Sequence, residues 1–146
     1  MSLDQVAEKA LELDAERFVL VERWKMGFGK ISLFLIASNE IRVFPPAIFL
    51  SAIQLKRNFK KRIRCPASAI TVESQHLHKN EKLSKCLSNF FGLPIAEIDD
   101  SINKRQSSMH ISNNPKGHLQ INFIFLQGMI EIGPRITVSK LSWDVN

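Results

Sequence analysis

The apolar residues of this 146-residue chain come in short runs, and the longest, residues 31–37 (ISLFLIA), is already broken by Ser32. That is far below the ~20 residues a membrane-spanning helix needs. It suits a strand, and short β-rich runs recur at residues 18–24, 31–36, 40–44, 68–73, 118–126 and 135–145, separated by Gly, Pro, Asn and Ser. The first two read as a hairpin turning at residues 25–29, where Gly27 and Gly29 punctuate the pattern. The third is expected to end at Pro45-Pro46, because residues without an amide hydrogen cannot donate to a sheet ladder. Residues 47–55 (AIFLSAIQL) fit a strand or a helix equally well.

Two segments change to helical period. In residues 1–16 (helix expected over 2–16), Leu3, Val6, Ala10 and Leu13 share one face and Asp4, Glu8, Lys9 and Glu12 the other, with Ser2 and Gln5 spaced as a capping box. Residues 81–91 place Leu83, Leu87, Phe90 and Phe91 on one face before a stop at Gly92-Leu93-Pro94. Residues 99–117 (DDSINKRQSSMHISNNPKG) are polar and turn-rich, and are expected to be a long mobile loop. With 45% hydrophobic residues the chain is long enough for one core, so we expect a single domain over 1–146. Strands at hairpin spacing, an N-terminal helix and one short mid-chain helix give an α+β domain with a mainly antiparallel sheet, curled or sandwiched. Alternating βα crossovers are not evident, which argues against a doubly wound nucleotide fold.

Charge is the strongest functional signal. The nine residues 56–64 (KRNFKKRIR) hold six cations and no carboxylate, as much positive charge as the net +6 of the whole chain. Such a block must be solvated, paired with acids elsewhere or held against a polyanion, and Glu73 is the one acid within ten residues on either side. Residues 1–24 are net −3, which leaves +9 on the remainder. We therefore take Lys56, Arg57, Lys60, Lys61, Arg62 and Arg64 as candidate contacts to nucleic-acid phosphates, bound by counterion release and without base readout. As a helix the segment would carry Lys56, Lys60 and Arg64 on one stripe, with Phe59 and Ile63 turned to the core; as a strand both faces would be cationic. Stacking on bases would fall to Trp24, Phe28, Phe59 or Trp143, since there is no Tyr.

Other chemistry is weakly encoded. Cys65, His76, His78 and Cys86 are metal-ligand types, but C-x10-H-x-H-x7-C fits no common zinc finger, so free thiols and surface histidines are the reading taken. Gly27-Phe28-Gly29-Lys30 lacks the third glycine and following helix of a phosphate-binding loop. Asp99-Asp100 are neighbours whose side chains diverge, which suits a loop or cap better than acid–base work. We expect no cofactor and no metal, and a binding protein rather than an enzyme. The N-terminal residues are too acidic for a secretion signal, so an intracellular, soluble protein of cytoplasm or nucleus is expected. The partners that fit are nucleic acid or another polyanion, in a structural nucleoprotein or matrix-like role. An anionic membrane surface is the alternative, with further copies of the chain also admissible, and a small enzyme acting on a phosphorylated substrate is the remaining one.

Overall fold

Short apolar runs next to turn residues do become strands, and the computed structural model describes them over residues 2–23, 29–38, 40–59, 63–99 and 105–144. Among these residues the elements are α1 (Leu3–Glu12), β1 (Arg17–Arg23), β2 (Gly29–Ala37), β3 (Glu40–Gln54), β4 (Ala67–Val72), α2 (Glu81–Phe91), β5 (Ile95–Ala96), β6 (Ser107–Asn113), β7 (Leu119–Phe125) and β8 (Ile130–Ser142). The strands form one open, mostly antiparallel sheet in the order β1-β2-β3-β8-β7-β6-β4-β5, so the protein is α+β as its sequence pattern implies. No described helix is long and apolar enough to cross a membrane. The chain divides into two compact units, residues 1–49 with 140–146 and residues 50–139.

In the first unit, β1 and β2 pair antiparallel from Arg17↔Leu35 to Arg23↔Gly29, as the hairpin reading requires, and the expected turn lies outside the described residues. Phe18 and Phe34 face each other across this pair and stack, with centroids 4.9 Å apart. The capping box on α1 is formed: Gln5 N–H donates to Ser2 Oγ, and Ser2 N–H donates to Gln5 Oε1 at 2.9 Å. The helix stops earlier than its period suggests, because Asp14 takes a left-handed φ of 55°, which a short polar side chain tolerates. Leu13 is consequently 70% exposed and no core residue; Ala7 and Ala10 make the buried face.

Strand β3 corrects another expectation. It runs straight through Pro45-Pro46 and takes in residues 47–54, resolving that segment as strand. Proline removes a donor but keeps its carbonyl acceptor and an extended-compatible φ, and burial of Pro46, Ala47, Ile48 and Leu50 holds the segment in place.

The second unit holds the larger core. Leu83, Leu87 and Phe90 of α2 are each 2% exposed, each worth about 1.5–3 kcal/mol of transfer free energy, whereas Phe91 is turned to solvent. Gly92 closes α2 with φ 67°, a conformation that costs glycine nothing. β4, α2 and β5 make one parallel βαβ unit, which the sequence concealed because β5 is only two residues long.

The expected loop 99–117 contains a strand, while its residues 100–104 lie outside the described residues. Ser107–Asn113 is strand β6, parallel to β4 and antiparallel to β7, with Ile111 opposite Ile121 and Met109 opposite Phe123. Its serines misled the reading, for Ser107 and Ser108 are completely buried. Each hydroxyl has a partner: Ser107 Oγ donates to the Cys65 carbonyl at 2.6 Å, and Ser108 Oγ lies 2.9 Å from Thr71 Oγ1. A satisfied hydroxyl is cheap to bury, so polarity alone did not make this segment a loop.

Candidate nucleic-acid interface

The basic segment is the connection between β3 and β4, wholly within the second unit. A nine-residue cationic helix does not form. Lys56–Asn58 is a single 3-10 turn, closed by Phe59 N–H donating to the Lys56 carbonyl, and Phe59 itself is already extended at φ −96°, ψ 137°. Like charges at i and i+4 would repel along such a helix, and no acid within it offsets them. Lys56, Arg57 and Arg64 are exposed, while Phe59 and Ile63 are half-buried, as expected of those two. Lys60, Lys61 and Arg62 lie outside the described residues.

Two contacts fix the segment where it leaves β3 and enters β4. At the first, the Phe59 ring lies against the backbone of Gly133, so closely that a Cβ there would meet Phe59 Cε2 at 2.6 Å and Lys56 Cα at 3.0 Å. The Arg135 guanidinium sits over the same ring, 5.6 Å from its centroid. Arg135 is in turn oriented by Glu131, donating from Nε to Oε2 at 2.8 Å and from Nη2 to Oε1, and from Nη1 to Gln54 Oε1 at 3.3 Å. The hydrogen bond from Arg135 holds the Glu131 carboxyl below its ordinary range, partly opposed by burial, and the carboxylate raises Arg135. At the second contact, the Cys65 carbonyl accepts from Ser107 Oγ, directly before β4.

Lys56, Arg57 and Arg64 are left to solvent. No ion pair among the described residues reaches Lys56, Arg57 or Arg64, whereas Lys9, Arg42, Lys85 and Arg135 each meet a carboxylate. Glu73, the nearest acid in sequence, is committed elsewhere. Its Oε2 accepts from Asn113 N–H at 3.3 Å, and the side chain lines a cavity of 320 Å³ with Val72, Ser74, Leu77, Glu97, Ile98 and His110.

That cavity is the feature sequence reading missed. Glu73 and Ser74 follow the carboxyl end of β4, and Glu97 and Ile98 follow that of β5. His110 reaches it from β6, with Nδ1 2.7 Å from Thr71 Oγ1, so Thr71 links His110 to Ser108. Burial pushes the His110 imidazole below its ordinary pKa, against a smaller upward pull from Glu73. The alternation Ser108-Met109-His110-Ile111 was the available signal, but it sat inside a run dominated by turn residues. Cys65, His76, His78 and Cys86 are not brought together: among the described residues no group of three or more His, Cys, Asp and Glu is placed to hold a metal. Of the candidate stacking residues, Phe59 is committed to Gly133 and Arg135, Trp143 is half-buried, and Trp24 and Phe28 lie outside the described residues.

No protein-family model and no curated protein sequence matches the chain. Its fold is similar to that in the crystal structure of a probable ribosomal biogenesis protein from Aeropyrum pernix K1, with a TM-score of 0.69 over 96% of this chain and 76% of that one. The two sequences are 14% identical, so the likeness concerns the fold alone.

Proposed function

We propose that this chain is an RNA-binding protein that holds the phosphate backbone through residues 56–64, serving as a binding component of a ribonucleoprotein rather than as an enzyme. The observation that carries the reading is the exposure of Lys56, Arg57 and Arg64 with no carboxylate partner among the described residues, in a segment whose apolar side chain is anchored in the fold. Unpaired cations at fixed positions release condensed counterions when phosphates replace water around them, which gives affinity that is independent of sequence and steep in salt. A small enzyme working on a phosphorylated substrate would place titratable groups and cations in one cavity. Here the cavity with Glu73, Glu97 and His110 is lined by none of Lys56, Arg57 and Arg64, the cations among the described residues. The shared fold with a probable ribosomal biogenesis protein lends support to RNA over other polyanions.

The test is binding by the variant Lys56→Gln/Arg57→Gln/Arg64→Gln across a salt series. Loss of three phosphate contacts should lower the magnitude of the slope of log K against log salt by about 2 on single strands and nearly 3 on duplex, with thermal stability unchanged. Vesicles of anionic lipid belong in the same assay. Binding to vesicles but not to RNA at near-physiological salt would transfer the segment to a membrane role, and parental behaviour of the variant on both would refute the reading.

A further inference from the structure

Lys30 of β2, Phe49 of β3 and Lys140 of β8 all lie in the first unit, on three neighbouring strands. Lys30 Nζ is 5.7 Å from the centroid of the Phe49 ring and Lys140 Nζ is 5.8 Å from it, so one ring holds two ammonium groups. Neither lysine is in an ion pair among the described residues, and Lys140 is exposed. Two like charges gathered on one ring repel each other, and the cation–π attraction at exposed sites is only about 0.5–1 kcal/mol. With no carboxylate beside either ammonium among the described residues, an anion is the ligand this pair is suited to take. We propose that Lys30, Phe49 and Lys140 form a second RNA contact, in which Phe49 stacks an unpaired base and the two ammonium groups swing from the ring to the flanking phosphates.

The chemistry selects the ligand. An aromatic face accepts any base but only one that is unstacked from its neighbours, so the partner is a single strand or loop and not a duplex. A lipid surface is the poorer occupant, because Phe49 is half-buried between cations and does not project as an insertion anchor would. This contact rests on the nucleic-acid reading above but uses none of its residues.

Two variants test it against a short oligouridylate and a duplex of similar length. Phe49→Leu, which keeps apolar bulk and removes the π face, should weaken oligouridylate binding roughly tenfold while leaving the duplex unaffected. Lys30→Gln/Lys140→Gln should lower the magnitude of the single-strand salt slope by about 1.4. Should Phe49→Leu lose stability, the lysine pair still decides the matter. Parental oligouridylate affinity in Phe49→Leu with parental slope in the lysine variant would overturn this contact, even if the variant at residues 56, 57 and 64 loses affinity. The reverse pattern would retain the contact and sink the proposal for residues 56–64. Equal losses on oligouridylate and duplex would make the site a plain phosphate contact and refute the stacking role.

Discussion

Gly133→Ala is the perturbation that most directly probes how the basic segment is held. Gly133 sits at φ +72°, where a residue with a Cβ is strained by about 1–2 kcal/mol. The new methyl would also fall 2.6 Å from Phe59 Cε2 and 3.0 Å from Lys56 Cα, too close for either to remain in place. Forcing an extra carbon into a packed contact costs about 1–3 kcal/mol, against which alanine returns about 0.4–1 kcal/mol by restricting the unfolded chain. The net expectation is a loss of about 3 kcal/mol, read as a lower urea midpoint at unchanged m-value. Phe59→Ala supplies the control, because removing the ring leaves the strain at residue 133 and the approach to Lys56 but abolishes the main clash. In that background Gly133→Ala should cost about 1 kcal/mol, a coupling of about 2 kcal/mol between the two positions. Equal costs in both backgrounds would show that Phe59 does not pack on Gly133 and would remove the anchor from the account.

Three further outcomes follow from the same contacts. His110 is held neutral by burial, so its share of stability is complete above its ordinary pKa of 6.5 and is lost as pH falls below that value; thermal melts from pH 7.5 downward should show this decline, and His110→Gln should flatten it. Glu131→Gln should cost about 1 kcal/mol and remove stability that is present above the ordinary carboxylate pKa of 4.5 and lost as pH falls through the lowered native value, while the freed Arg135 should raise affinity for RNA in a filter-binding assay. Ala10→Asp should destabilise the chain by a few kcal/mol through a buried unpaired charge, whereas Leu13→Asp should shift the melting temperature hardly at all, since Leu13 is 70% exposed.

Signals that repeat along the chain were legible, and signals that depend on a distant partner were not. The capping box at Ser2 and Gln5, the β1–β2 hairpin and the helix 81–91 with its Gly92 stop each reside in a few consecutive residues, and all three are formed. The α+β class followed from their sum. Pro45 and Pro46 read locally as a strand end, yet burial of Pro46 itself and of Ala47, Ile48 and Leu50 after it keeps β3 extended. β6 was hidden because the carbonyl that satisfies Ser107 belongs to Cys65, 42 positions earlier, and the hydroxyl that satisfies Ser108 belongs to Thr71. The cavity at Glu73, Glu97 and His110 was invisible for the same reason, being assembled from the ends of β4 and β5 and the middle of β6. Charge was the opposite case: the density of residues 56–64 needed no structure to be noticed, but its shape did. The helical stripe gave way to one 3-10 turn and an extended Phe59.

The way this segment is attached also separates folding from binding. Among the described residues, the contacts that anchor it in its unit run through uncharged groups of the segment, the Phe59 ring on Gly133 and the Cys65 carbonyl on Ser107. Arg135, which sits over the Phe59 ring, belongs to β8 and has its own carboxylate in Glu131. Among the described residues Lys56, Arg57 and Arg64 therefore contribute no ion pair, and their mutual repulsion slightly opposes folding. Under the proposed function these cations find a favourable partner in a polyanion, which would bind the native state and stabilise it by mass action. On this reading a polyanion should raise the melting temperature of the parent at low salt and lose that effect as salt is added. Neutralising the three cations should remove the ligand's effect while leaving the ligand-free protein as stable as before or slightly more so.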